Sequence, residues 1–332
     1  MEERKKSHIE LALDSQTPED TVDSRFDYEP MLSSHPSGSP EPFDFLGKTQ
    51  KVPLWVSSMT GGTKMAGTIN RNLARACGEF GMGMGLGSCR IIMDDESYFE
   101  DFNVRPIMGE DYPLYANLGI AQVEEILGSD SLDRVRALLD RLQADGLVVH
   151  VNPIQEWCQP EGDQFRNAPI DTLKRLLDQA DFRIIVKEVG QGMGPESLRA
   201  LLKLPLEAIE FAAYGGTNFA LVELARSTPV LKTTYEPLAS VGHTAGEMVD
   251  MVNHILESET GILCRQLIVS GGIKTFLDGF YLVKKSRLPA IYGQAVSFLE
   301  HARENYEKLQ AYVSYQVKGW QLAEAYLKPK FE

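Results

Sequence analysis

The chain changes character near residue 51. Beyond it, short apolar runs, several rich in β-branched residues, recur at 54–59, 82–87, 114–118, 147–152, 183–189, 208–213, 266–269 and 290–293. Runs of this length, bounded by polar and turn residues, predict buried strands. Amphipathic stretches with helical spacing lie between them, at 69–80, 132–143, 170–180, 195–202 and 219–227. Strand and helix in alternation predict a parallel sheet covered by helices. Eight such repeats predict an α/β fold of the (β/α)8 TIM-barrel class over residues 51–332, with C-terminal helices. The longest gap falls between the sixth and seventh strands, where 228–258 predict a loop and then a helix opened by the capping box Thr244 and Glu247. Before residue 51 the pattern fades. Residues 11–50 are rich in Ser, Pro, Asp and Glu, so 1–50 reads as an extended N-terminal arm.

In a barrel of this kind the chemistry sits on the loops that follow the strands. Those loops carry SMTGG (58–62), GSCR (87–90), ANLG (116–119), HVNPIQE (150–156), KEVGQG (187–192), YGGTN (214–218), SGGIK (270–274) and GQA (293–295). Small residues let backbone amides approach a ligand, and the two late GG loops lie where such barrels commonly bind phosphate. A glycine pair can equally close a turn. The stretch HVNPIQEWCQPEGD (150–163) packs a histidine, an asparagine, two glutamines and three acids after an apolar strand. It reads as a solvated loop or as a polar site at the barrel mouth. Lys187 ends the apolar Ile184-Ile185-Val186 and needs a negative partner, for which Glu188 and Glu156 are candidates. Met59, Met82, Met84 and Met93 read as core filling, and Ser240 and His243 as parts of an exposed loop.

Composition narrows the classes. With 332 residues, 43% of them hydrophobic and 24% charged, the chain can bury a large core. A formal net charge of -14, with 33 scattered basic residues, argues against nucleic acid, so an anionic ligand needs a local basic pocket. The cation-rich RKKSHI (4–9) reads as a solvated terminus or as one source of such a pocket. Cys77, Cys89, Cys158 and Cys264 form no CxxC pair, which argues against structural zinc or a disulfide framework and fits a reducing cytoplasm. No apolar run is long enough to span a membrane, and the first residues lack a signal-peptide core.

Taken in order, RKKSHI, FLGK (45–48), SMTGG, GSCR, ANLG, HVNPIQEWCQPEGD, VKEVGQGM, YGGTNFA and SGGI resemble the motifs of the type 2 isopentenyl diphosphate isomerases, FMN-dependent (β/α)8 enzymes, over nearly the whole chain. The resemblance implies conversion of isopentenyl diphosphate to dimethylallyl diphosphate with reduced FMN, a divalent ion, normally magnesium (Mg2+), and NADPH or another reductant, in a homo-oligomer, tetramer or octamer. By motif, it places Ser58, Met59, Thr60, Ser88, Asn117 and Lys187 on the flavin. The flavin phosphate falls to Thr217, Gly271 and Gly272, with Lys274 and Ala295 at the same end. Arg4, Lys5, His8, Arg90, His150 and Asn152 would meet the substrate diphosphate, Gln155 the reacting carbons, and Glu156 the magnesium. Glutamine is neither a strong acid nor a strong base, so the resemblance makes the reduced flavin the proton donor and acceptor. Gln155 would orient or relay, Lys187 would steady the anionic ring, and the arm would close the site.

Four departures from the family pattern stand out. Lys274 replaces the usual arginine after SGGI, Val296 follows Ala295 where a small residue is common, Cys89 replaces glutamine in GSxR, and 229–246 diverges. The last two fall on no residue assigned to the chemistry. An FMN-dependent oxidoreductase of the 2-hydroxy acid type is the alternative. It would need a histidine base and arginine clamps at later strand ends, and no histidine directly follows the sixth or seventh strand. A barrel that binds a flavin or an isoprenoid phosphate without catalysis is favoured by Lys274 and Val296 and opposed by Gln155, Glu156 and Lys187. A scaffold without a ligand leaves the polar strand ends without purpose.

Overall fold

A computed structural model of the chain describes residues 2–58 and 62–331. Eight parallel strands close into a barrel in chain order: β1 (Leu54–Val56), β2 (Gly83–Gly85), β3 (Leu114–Gly119), β4 (Gly146–His150), β5 (Arg183–Lys187), β6 (Ala208–Glu210), β7 (Leu267–Ser270) and β8 (Ala290–Gln294), with β8 pairing back onto β1. Every predicted strand is present; five are one to three residues shorter than their apolar runs, which continue into the loop, while Leu114–Gly119 and Ala290–Gln294 are one residue longer and Leu267–Ser270 is equal in length.

Alternation along each strand divides the core in two. Outward residues such as Leu54, Val56, Met82, Met84, Leu147, Val149, Ile184, Val186 and Ile209 pack under the helices, and Met93 packs against the same layer. Inward residues Trp55, Tyr115, Val148, Ile185, Ala208, Ile268 and Ile291 fill the barrel. The large amphipathic helices Lys64–Phe80 and Asp133–Leu142 bury one face each, and the first is capped by Thr63, whose side chain accepts the Ala66 amide.

The first fifty residues are more ordered than an extended arm. Phe43–Phe45 and Lys48–Gln50 form a hairpin whose Phe45 and Leu46 are buried with the inward residues and plug the N-terminal end of the barrel. The Leu46 amide donates to Gln266 Oε1 and the Arg183 guanidinium to the Leu46 carbonyl, both at 2.8 Å. Phe26–Tyr28 pairs antiparallel with Leu327–Pro329. Ahead of these, Glu2–Ala12 is an exposed helix.

The segment expected to be a loop before the second late helix is itself helical. Pro229–Ala239 starts with proline at its first position and Thr228 accepting the Leu231 amide. Its Leu231, Tyr235 and Ala239 pack with Ile154 and Cys158, so the divergent segment braces the helix Pro153–Cys158 that carries Gln155 and Glu156. The capping box of Thr244 and Glu247 opens the next helix, Ala245–Ser258, as predicted.

Candidate active site

Two residues beyond the apolar inward layer, the strands present Ser57, Gly85, Asn117, His150, Lys187, Glu210, Ser270 and Gly293 to the interior. Every side chain at this level is polar except at Gly85 and Gly293, which have none. His150, Lys187 and Glu210 are neighbours in register across β4, β5 and β6. The change from apolar to polar in one pleat seals the barrel below and makes a polar floor above.

Over the β5 to β8 and β1 side of that floor opens a cavity of about 630 Å³. Ser57, Ser58, Lys187, Glu210, Thr217, Gly271, Gly272, Lys274 and Ala295 line it, with Phe219, Ile273, Val296 and Leu299 supplying apolar wall. Its far end is nearly all backbone. Gly215, Gly271 and Gly272 have φ of 110°, 88° and 72°. A Cβ on Gly271 would lie 2.1 Å from the Ala213 nitrogen, and one on Gly216 would meet Gly271 and Gly272 backbone at 3.3–3.4 Å. Only glycine allows the two turns to pack this closely. Lys187 is buried, and its Nζ donates to the Glu188 carbonyl at 2.7 Å. The Glu188 carboxylate instead accepts the amides of Gly190, Gln191 and Gly192 at 2.7, 2.7 and 2.9 Å, and burial raises its pKa. Among the described residues, Lys187 forms no ion pair with Glu188, Glu156 or any other carboxylate, so the structural salt bridge considered from sequence is not made.

The β4 side is built differently, from side chains. His150 Nδ1 lies 2.7 Å from Asn117 Oδ1, and a Cβ on Gly119 would come within 2.9 Å of Nε2, so glycine there makes room for the ring. Burial, with the Lys187 charge as a second cause, depresses the His150 pKa to about 3, which leaves the imidazole neutral. Asn152 Nδ2 donates to Gln155 Oε1 at 3.1 Å and to Glu156 Oε1 at 2.9 Å. Gln155 Nε2 reaches Glu223 Oε1 at 3.3 Å, and Glu223 pairs with Arg226 at 2.6 Å. Glu156 Oε2 accepts the Asp163 amide at 2.8 Å, while the Asp163 carboxylate holds both Arg90 and Gln122 at 2.7 Å. Within 150–163, Pro153–Cys158 is a helix whose polar groups bond to one another at the mouth, to Gln122 on the helix after β3 through Asp163, and to Glu223 on the helix after β6.

The predicted residues therefore divide. Ser58, Lys187, Thr217, Gly271, Gly272, Lys274 and Ala295 share the cavity. Beside it, Asn117 pairs with His150, and Asn152 bonds to Gln155 and Glu156. Ser88 and Arg90 line a separate open depression with Asp94, Asp95 and Tyr98. Arg4, Lys5 and His8 sit on the exposed N-terminal helix, and among the described residues no hydrogen bond or ion pair joins that helix to the barrel. Met59 and Thr60 lie outside the described residues. Among those described, no group of three or more His, Cys, Asp or Glu is arranged to hold a metal ion. Asp163, Gln122, Glu223 and Glu210 escaped the sequence reading. Glu210 alone left a signal, since Ala208-Ile209-Glu210 alternates and Ile209 points out.

Fold and cavity together define a (β/α)8 barrel with a polar-floored cavity at the C-terminal ends of the strands. No family model matches the chain. Individual relatives do. It is 35% identical to the isopentenyl-diphosphate delta-isomerase of Deinococcus radiodurans over 84% of this chain and 80% of that protein. To those of Nostoc sp. and Mycolicibacterium gilvum it is 33% and 31% identical, over 92% and 84% of this chain and 86% and 79% of theirs. The chain belongs to the isopentenyl-diphosphate delta-isomerase family, and is an isomerase by that membership. Among solved structures, a mandelate oxidase variant carrying an FMN adduct matches with a TM-score of 0.59 at 13% identity, over 93% of this chain and 88% of that one. A flavocytochrome b2 variant with sulfite bound matches at 0.61 and 13%, over 90% and 71%. The likeness to these 2-hydroxy acid enzymes is one of fold.

Proposed function

We propose that this protein interconverts isopentenyl and dimethylallyl diphosphate on FMN, with magnesium on the substrate diphosphate and NADPH or another reductant reducing the flavin. The observation that carries the reading is the pairing of a Lys187-floored, glycine-ended cavity with the polar network of His150, Asn152, Gln155 and Glu156 beside it. The cavity residues fit a flavin. A volume of about 630 Å³ suits a cofactor, the glycine turns suit a phosphate, and among the described residues Ser57 Oγ, Ser58 Oγ and Glu210 Oε2 are buried without hydrogen-bond partners. The Glu156 carboxylate, which accepts Asn152 Nδ2 at 2.9 Å and the Asp163 amide at 2.8 Å, is the hard oxygen donor that would hold magnesium, with Asn152 on the substrate diphosphate.

When bound and reduced, the flavin would supply the proton donor and acceptor and an electron-rich face for positive charge developing on the alkene. The chain supplies the rest. Lys187 offsets negative charge at the cavity floor. Gln155, held through its oxygen by Asn152 and through its nitrogen by Glu223, presents a fixed amide to the reacting carbons. Arg90 leaves Asp163 to take the diphosphate, and neutral His150 gains an anionic neighbour that favours its protonation. Arg4, Lys5 and His8 join the diphosphate when the N-terminal helix folds over the mouth, excluding water. Ser88, Met59 and Thr60 complete the flavin surroundings. We assign the enzyme to the cytoplasm, where its four free cysteines stay reduced, and to a homo-oligomer.

Anaerobic turnover of isopentenyl diphosphate tests the reading, with FMN, magnesium and NADPH or dithionite each omitted in turn. Dimethylallyl diphosphate formed only with reduced flavin and metal supports it. A reducible bound flavin with no product moves the weight to the 2-hydroxy acid oxidoreductase alternative.

A further inference from the structure

Glu210 is the one acidic side chain in the inward polar layer, and it is fully buried. Its Oε1 accepts the Ser270 hydroxyl at 3.2 Å, while its Oε2 has no hydrogen-bond partner among the described residues. Among the described residues no amide or cation fills that gap. Lys187, the register neighbour on β5, donates to the Glu188 carbonyl and makes no ion pair among the described residues. A buried carboxylate oxygen left without a donor is costly, and native structures rarely tolerate one without a ligand to complete it. Glu210 lines the cavity, between Lys187 at one end and Ser270 with the glycine turns at the other. A carboxylate accepts and cannot donate, so what completes it is a hydrogen-bond donor.

We infer that Glu210 is a cofactor-contacting residue whose Oε2 accepts a hydrogen bond from a donor on the bound flavin. This rests on the flavin reading above and deepens it by assigning a contact that selects among cofactors. Flavin mononucleotide carries donors of two sorts, the ring imide N–H and the hydroxyls of its polyol chain, and both share the chemistry that Oε2 lacks. A structural role is the rival explanation, in which Glu210 serves only Ser270. That role is satisfied by Oε1 alone and leaves Oε2 without purpose.

The test is FMN binding to the full chain, followed by flavin fluorescence, for wild type, Glu210→Gln and Glu210→Ala, with thermal unfolding of each apoprotein as the check on folding. Losing a charge-assisted hydrogen bond should weaken FMN ten- to hundredfold in Glu210→Ala. Glu210→Gln keeps the shape, an acceptor oxygen and the Ser270 contact, and should lose less. Two analogues find the donor: FMN methylated at the ring imide nitrogen, and an analogue whose polyol hydroxyls are removed. The analogue lacking the relevant donor should bind wild type and Glu210→Ala alike, while the other stays sensitive to the substitution. Affinity lowered equally for FMN and both analogues would mean that Glu210 shapes the cavity without contacting the flavin, and overturns the assignment. So does FMN affinity within twofold of wild type in both variants. Wild-type protein that binds no FMN overturns the flavin reading itself, and this assignment with it.

Discussion

The two halves of the barrel mouth solve different problems. Over β6 to β8 the surface is mostly glycine backbone, with turns packed against each other so closely that a methyl group has no room. Over β3 and β4 it is two sets of groups already bonded within themselves, the pair Asn117 and His150, and a run from Arg90 and Asp163 through Glu156, Asn152 and Gln155 to Glu223. The first half is rigid and waits for a ligand to bring its hydrogen-bond acceptors. The second must exchange partners when a ligand arrives. A preformed backbone site should therefore fail through conformation, and a side-chain site through charge and pH.

The largest effect expected is on the rigid half. Gly271→Ala adds a Cβ that collides with Ala213 backbone at a φ that side chains rarely adopt, and should cost about 2–4 kcal/mol of stability in denaturant unfolding. A variant within 0.5 kcal/mol of wild type, a bound of roughly surface-substitution size, would show the turn to be adaptable.

Lys187→Ala should remove flavin from the purified protein and lower turnover at least about a hundredfold, since no second cation stands on the floor. Normal flavin content and isomerisation would take Lys187 out of the site. On the exchanging half, Glu156→Gln should shift the magnesium concentration for half-activity by about tenfold or more. An unchanged metal titration would remove this carboxylate from the metal site.

The pH response of the apoprotein tests the same half. His150 has a folded pKa depressed from 6.5 to about 3, so the unfolded chain binds the extra proton first as pH falls. Its contribution to stability is whole above about pH 6.5 and drains away toward pH 3, with a slope approaching about 1.4 kcal/mol per pH unit. Unfolding measured from pH 7 to 4 should show a shallower decline in His150→Gln than in wild type. Identical slopes would contradict a buried neutral imidazole.

The smallest effect belongs to Ala212, which holds φ of 43° beside the glycine turns. Ala212→Gly should stabilise by roughly 0.5–1 kcal/mol, as relief of left-handed strain outweighs added chain entropy. A lower melting temperature would mean that the methyl group earns its place by packing.

Much of this was legible in the residues. Apolar runs separated by helical stretches placed all eight strands, and the turn residues after them located both halves of the site. What escaped shares one feature. Asp163, Gln122 and Glu223 matter through partners 41 to 73 residues away, and such pairings leave no local pattern. The hairpin at 43–50 looked like part of a loose arm because its two buried apolar residues are adjacent, not periodic, and their partners lie on the barrel strands.

By itself the sequence determined the alternation of strands and helices, the order of the loops and the chemical types at each strand end, because periodicity and turn chemistry act over a few residues. The tertiary structure decided which of those ends meet. Closure of the barrel brought Lys187 beside Glu210 and His150 beside Asn117, and left the cavity-lining Glu210 with an Oε2 that has no donor among the described residues. The physical reason is that burial and hydrogen-bond satisfaction depend on residues far apart in the chain, and only the folded barrel sets those distances.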